Sequence, residues 1–216
     1  MKTRNIGLIS GVLGLLLAQN TFADLVTAPT QITDGVSATM PSVNAYTSGP
    51  ETFGGDITWT STNSSSVFGY TSSYGFGGNG YWTGALGAMA GLNTFDGTMT
   101  FSFADPVSGF GGFMNYVPDE GSAVIAAYNS SGGLIESYAL TFSTGGAINS
   151  GEFLGFQDST ADISSFTLSG AVNGVTQLEV SHSAAVPETA SPAVLALALA
   201  SLAGFGLLSK RQAGLA

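Results

Sequence analysis

No cysteine occurs anywhere in the 216 residues, and the stretch from Asp24 to Ala185 contains neither lysine nor arginine. The first absence excludes a disulfide framework and a thiol nucleophile, so the chain must be held together by its core. The second removes the means of neutralising phosphates and excludes nucleic acid as a partner. It also leaves thirteen of the fourteen carboxylates with no Lys or Arg nearby in sequence, because all thirteen lie in that same stretch. They must be solvated, hydrogen-bonded by neutral donors, or paired with a bound cation.

Histidine is scarce as well: His182 is the single imidazole. There is no histidine pair for zinc, no G-x-S-x-G elbow and no phosphate-cradling loop followed by Lys. A Ser-His-Asp site would need the fold to deliver both partners to His182. That residue shares strand parity with Leu178 and Val180, so it reads as an edge or partly buried histidine. Asp119 and Glu120 are adjacent carboxylates, but they fall in an expected turn and need not converge on one substrate. The expectation is a protein that is not an enzyme.

What remains is rich in Gly, Ser, Thr and aromatic residues, and its patterning is that of strands. Thr98 to Phe103 alternates strictly, with Met99, Phe101 and Phe103 on one face, and Asp105-Pro106 is expected to end it. Val107 to Val117 resumes an extended pattern whose glycines suggest a bulge or close packing. Asp119-Glu120-Gly121 makes a turn. Ser122 to Tyr128 and Leu134 to Phe142 bracket Asn129-Ser130-Ser131-Gly132-Gly133, a hairpin in which both glycines are expected at positive φ. Phe153 to Phe156, Ile163 to Leu168 and Thr176 to His182 complete the set. In the last, Leu178 and Val180 point inward while Gln177, Glu179 and Ser181 point out. Short strands at such spacing read as an all-β, antiparallel sandwich over 24–185. Gly84 to Leu92 is the one candidate for a short helix, opposed by its glycines. Asp24 to Phe53 is less regular and suits edge strands and loops.

All four basic residues of the chain, Lys2, Arg4, Lys210 and Arg211, sit at its two ends. Lys2 and Arg4 precede an apolar run from Ile6 to Leu17, and Thr21-Phe22-Ala23 offers small residues ahead of Asp24. This is the three-part pattern of a secretory signal over 1–23, cut between Ala23 and Asp24 by a signal peptidase. Val186-Pro187-Glu188 is followed by Pro192, which suits the first turn of a helix, by an apolar run over 193–209, and by Lys210-Arg211. Seventeen residues rise about 25 Å, close to a hydrocarbon core of about 30 Å. The basic pair would place the end on the cytoplasmic side and the domain outside.

Val186-Pro187-Glu188, the apolar span and the terminal Lys210-Arg211 together resemble the PEP-CTERM sorting tail of exported Gram-negative proteins, here over 186–212. The resemblance implies an exosortase as processing partner, transient anchoring in the inner membrane, and then the cell surface, an extracellular matrix or a biofilm. Thr189 stands where the family usually has a second Pro. The stretch from Asp105 to Tyr116, the hairpin that follows and Glu152 to Phe156 resemble the ectodomains attached to such tails, which implies a jelly-roll-like sandwich.

Two candidate ligand sites remain. Trp59, Tyr70, Tyr74, Tyr81 and Trp82 lie among Ser, Gly and Asn between residues 56 and 82. Flat rings beside neutral hydrogen-bonding groups suit sugars, here the cell's own exopolysaccharide. The competing reading is that these rings fill the core. Asp56, Asp119, Glu120, Asp158 and Asp162 are candidates for a structural Ca²⁺, since loop carboxylates suit hard cations. No EF-hand loop is present, and no other cofactor is expected.

Overall fold

The computed structural model describes residues 22–182. The signal segment up to residue 21, the motif Val186-Pro187-Glu188, the apolar run over 193–209 and Lys210-Arg211 lie outside the described residues. Within them the chain is all-β. Sixteen strands follow one another: β1 (Asp24–Val26), β2 (Val36–Ala38), β3 (Ala45–Tyr46), β4 (Glu51–Phe53), β5 (Ile57–Ser61), β6 (Val67–Tyr70), β7 (Tyr74–Gly75), β8 (Tyr81–Trp82), β9 (Met89–Leu92), β10 (Thr98–Val107), β11 (Gly109–Tyr116), β12 (Val124–Tyr128), β13 (Leu134–Ala139), β14 (Glu152–Gln157), β15 (Ile163–Ser169) and β16 (Asn173–Ser181).

Two antiparallel sheets use fourteen of these strands. One runs β1-β14-β11-β16-β9-β6-β3, with β2 also paired to β16; the other runs β13-β12-β15-β10-β5-β4. From β9 onward the chain mostly passes from one sheet to the other, and these last eight strands supply neighbouring quartets, β9-β16-β11-β14 and β10-β15-β12-β13. The N-terminal strands β1, β3 and β4 form three of the four outer edges, with β13 the fourth, as the irregular patterning of the N-terminal region leads one to expect.

One core lies between the sheets. The alternation in β10 buries Met99, Phe101 and Phe103, which meet Phe110 of β11, Phe156 of β14 and Phe166 of β15. Phe110 is the hub, with ring centroids 5.4 Å from Phe101, 5.0 Å from Phe103 and 5.0 Å from Phe166. Tilted aromatic contacts of this kind add to the area they bury. With no disulfide to constrain the unfolded chain, this cluster carries the stability.

Several local expectations are corrected. Asp105-Pro106 does not end β10, which continues to Val107. Its pairing with β15 is shifted between Ser102 and Val107, and an irregular, exposed stretch tolerates a residue without an N–H. No α-helix forms over 84–92. Gly84–Leu86 is a single 3₁₀ turn and Met89–Leu92 is a strand, in line with the cost of three glycines in a helix. In the β12–β13 hairpin only Gly132 has positive φ, +78°. The Asn129 side chain accepts from the N–H groups of Ser131 and Gly133 and shapes the turn. Gln177 takes φ +47°, where the register of β11 against β16 slips, a bulge the alternation of β16 does not announce.

The largest departure is the outer face of the eight-stranded sheet. Ser181, expected to face water, is buried, and the Ser108 hydroxyl donates to its Oγ at 3.2 Å. All four residues of β9 and seven of eight in β11 are buried. Two patches cover that face. Near β1, Val26 and Ile32 pack with Phe153 and Phe113. Near β9, the β7–β8 hairpin brings Phe76 and Trp82 against Met89 and Val117. Buried Asn79 pins the turn within that hairpin. Its carbonyl accepts from Asn115 at 3.0 Å, Asn149 at 3.0 Å and Thr144 at 2.9 Å.

Candidate functional site

Neither tryptophan of the aromatic segment between residues 56 and 82 faces solvent. In β5, Ile57 and Trp59 take the inward positions of the pleat; Trp59 is 0% exposed, with its ring 5.2 Å from Phe68. Trp82 is 2% exposed beneath the hairpin, where its indole N–H donates to the Gly87 carbonyl at 3.2 Å. Both indoles are thus structural, as the competing reading held. They serve two different layers: one lies between the sheets, the other outside them.

The tyrosines of the segment grade from interior to surface. Tyr74 is half-buried against Phe76; its hydroxyl has no partner, and burial, with Tyr46 and Tyr70 nearby, pushes its ionisation well above the usual tyrosine range. Tyr70 is half-buried, edge-on to Tyr74 and to Tyr46. The hydroxyls of Tyr46 and Tyr70 are 3.3 Å apart, and that bond is the main reason the Tyr46 ionisation is raised. Tyr81 is 38% exposed. Tyr46, which sequence reasoning passed over, is the most exposed of the group, because β3 is a two-residue edge strand.

A polar hollow opens elsewhere, at the ends of the β5–β6 and β9–β10 loops. Thr62, Asn63, Ser64, Thr94, Asp96 and Gly97 line it. Its walls are set by side-chain bonds: Asn63 donates to the Asn93 carbonyl at 2.9 Å, Thr62 Oγ1 accepts from Thr98 N–H at 2.9 Å, and Thr94 donates to Asp96 at 3.0 Å. Phe95, between two lining residues, is 59% exposed. No pattern in the sequence marks this spot, because its two loops are thirty residues apart in the chain and, Phe95 aside, polar.

The candidate carboxylates do not assemble into one site. Asp56 pairs with His182 at 3.2 Å across the end of the sandwich, both partly exposed. His182 is therefore an edge residue. Asp119 and Glu120 project from an exposed turn after Pro118. Asp158 and Asp162 do come together in the β14–β15 loop: Asp158 is buried, and burial and the neighbouring Asp158 carboxylate raise the ionisation of Asp162. Among the described residues no three His, Cys, Asp or Glu side chains converge as metal ligands.

At the expected cleavage point, Ala23 is buried against the core and Asp24 begins β1, opposite Gln157. Among the described residues no helix is long and apolar enough to cross a membrane. No protein-family model, curated protein or solved structure matches this chain.

Proposed function

We propose that this chain is a non-enzymatic protein, exported through its N-terminal signal and anchored for a time in the inner membrane by the segment 193–209. An exosortase-type cut near Glu188 then releases it to the cell surface or matrix, where it has a structural or adhesive role. The observation that carries this reading is the division of charge along the chain. Every cation lies in the terminal segments, and the folded body over 24–181 contains carboxylates, hydroxyls and amides but no Lys or Arg. Such a body resists nucleic acid and anionic surfaces and leaves the terminal cations to the membrane. We read the ectodomain as a jelly roll. The neighbouring quartets β9-β16-β11-β14 and β10-β15-β12-β13 support that reading, since this is the strand order of two nested Greek keys.

A second reading, a carbohydrate-binding module, is favoured by the hollow beside Phe95. An exposed ring next to threonine, asparagine, serine and one carboxylate matches a sugar's apolar face and hydroxylated edge. On this reading the full chain in mild detergent is retarded on a column of neutral polysaccharide such as dextran, and Phe95→Ala elutes earlier with its melting temperature unchanged. A parent chain that elutes with a non-binding control on dextran, galactan and cellulose columns removes the module reading. Intact-mass analysis from the native host tests the sorting reading: a mature chain retaining Lys210-Arg211 overturns it.

A further inference from the structure

Asp158 is 1% exposed, an unusual position for a carboxylate in a domain with no Lys or Arg to meet it. One oxygen, Oδ1, accepts from Thr160 N–H at 3.1 Å and from the hydroxyls of Thr160 and Ser159 at 3.3 Å each. The other, Oδ2, is fully buried and has no donor. A buried carboxylate oxygen without a partner is costly, and such charges are normally paired or bound to metal. A second carboxylate, that of Asp162, lies beside it in the same short loop. Two like charges so placed repel unless a proton or a cation lies between them.

The surrounding chemistry favours a cation. Within Asp158-Ser159-Thr160-Ala161-Asp162, oxygen-bearing side chains recur at every second residue, the spacing of the first three ligands in a calcium loop. Thr160 and Asp162 are exposed while Asp158 anchors them from below, so an ion has access from solvent. Among the described residues no His or Cys joins the two carboxylates, which argues against a preference for zinc or copper. We propose that the β14–β15 loop binds a calcium ion through Asp158, Thr160 and Asp162, with backbone carbonyls and water completing the shell. The chain enters β15 at Ile163, so the loop supplies fewer ligands than a twelve-residue one. Affinity then falls in the range of extracellular modules, about 10⁻⁴ to 10⁻³ M. Asp158 N–H also donates to the Ser108 carbonyl at 2.7 Å, and Ser108 donates to the Ser181 carbonyl. A bound ion would therefore stiffen the end of the sandwich from which the chain leaves toward its tail. This site is independent of the hollow beside Phe95.

Thermal melts of the full chain in detergent test the proposal. About 10 mM CaCl₂ should raise Tm by roughly 4–8 °C beyond a NaCl control of matched ionic strength. Asp162→Asn, which removes one of the two neighbouring carboxylates, should melt no lower than the parent in EGTA and should lose the calcium-specific rise. Calorimetric titration of CaCl₂ into the parent should give one site, which Thr160→Ala weakens several-fold. A parent that melts alike in calcium and sodium overturns the proposal and leaves a shared proton as the bridge. An equal calcium rise in parent and Asp162→Asn overturns it too.

Discussion

The two sheets bury different numbers of faces. The six-stranded sheet turns one face to the core and leaves the other open: β10 alternates buried and exposed residues over its first half, and β13 is exposed along most of its length. The eight-stranded sheet is covered twice, by the core on one side and by the β7–β8 hairpin and the Val26–Ile32 patch on the other. A one-sided sheet can use Ser and Thr freely on its outer positions, whereas a two-sided sheet must fill both with small or apolar residues. The strand β11, Gly-Phe-Gly-Gly-Phe-Met-Asn-Tyr, is of the second kind. Its glycines and Gly155 of β14 let the two strands approach: a Cβ on Gly111 would lie 2.9 Å from the Leu154 carbonyl oxygen, and one on Gly155 2.4 Å from the Phe110 carbonyl oxygen.

The two tryptophans offer the sharpest way to break that contrast. Trp59→Ala opens the shared core and should cost about 3–5 kcal/mol, read as a lower urea midpoint for the whole domain of the full chain in detergent. Trp82→Ala should cost less, about 2–3 kcal/mol, because the hairpin above it can settle into the space. Its loss should also be local. Hydrogen exchange should quicken in β7–β9 while β10 and β15 keep their protection. Uniform quickening in both variants would mean the hairpin is part of the main core.

A pair of glycines tests the same contrast at smaller scale. Gly155→Ala forces an atom between two strands of the covered sheet and should cost about 1–3 kcal/mol. Gly132→Ala, in the open sheet's hairpin, meets nothing within 4 Å but keeps a φ of +78°, so it should cost only about 1 kcal/mol. Equal losses in chemical denaturation would show that backbone strain outweighs the close approach. The smallest effect belongs to the open face itself. Ser102→Lys, exposed on β10, should change stability by no more than about 0.5 kcal/mol.

The same contrast explains what could be read in the sequence. Strands of the open sheet announce themselves by period two, so Met99, Phe101 and Phe103 were assignable to one face, and the β12–β13 hairpin was visible from its Asn-Ser-Ser-Gly-Gly turn. Period two vanishes where both faces are buried. Ser181 therefore read as exposed, and Met89–Leu92 read as helix because a run of small and apolar residues has no preferred period. Trp59 and Trp82 sit twenty-three positions apart in one Gly- and Ser-rich segment, and nothing local tells which of them lies between the sheets and which beneath a hairpin. The carboxylates were legible as a set without counter-ions, but not as pairs. Asp56 meets His182 from the far end of the chain, and the hollow beside Phe95 joins two separate loops.

Composition and local pattern determined that this body is all-β, free of disulfides and anionic, because those properties follow from residue types and short-range alternation. Only the tertiary structure decided that one sheet is covered on both faces, that both indoles are interior, and that Asp158 is buried with an oxygen unmet. Those depend on contacts between residues far apart in sequence, and a linear pattern records only which side of its own strand a residue takes, not what comes to lie above it.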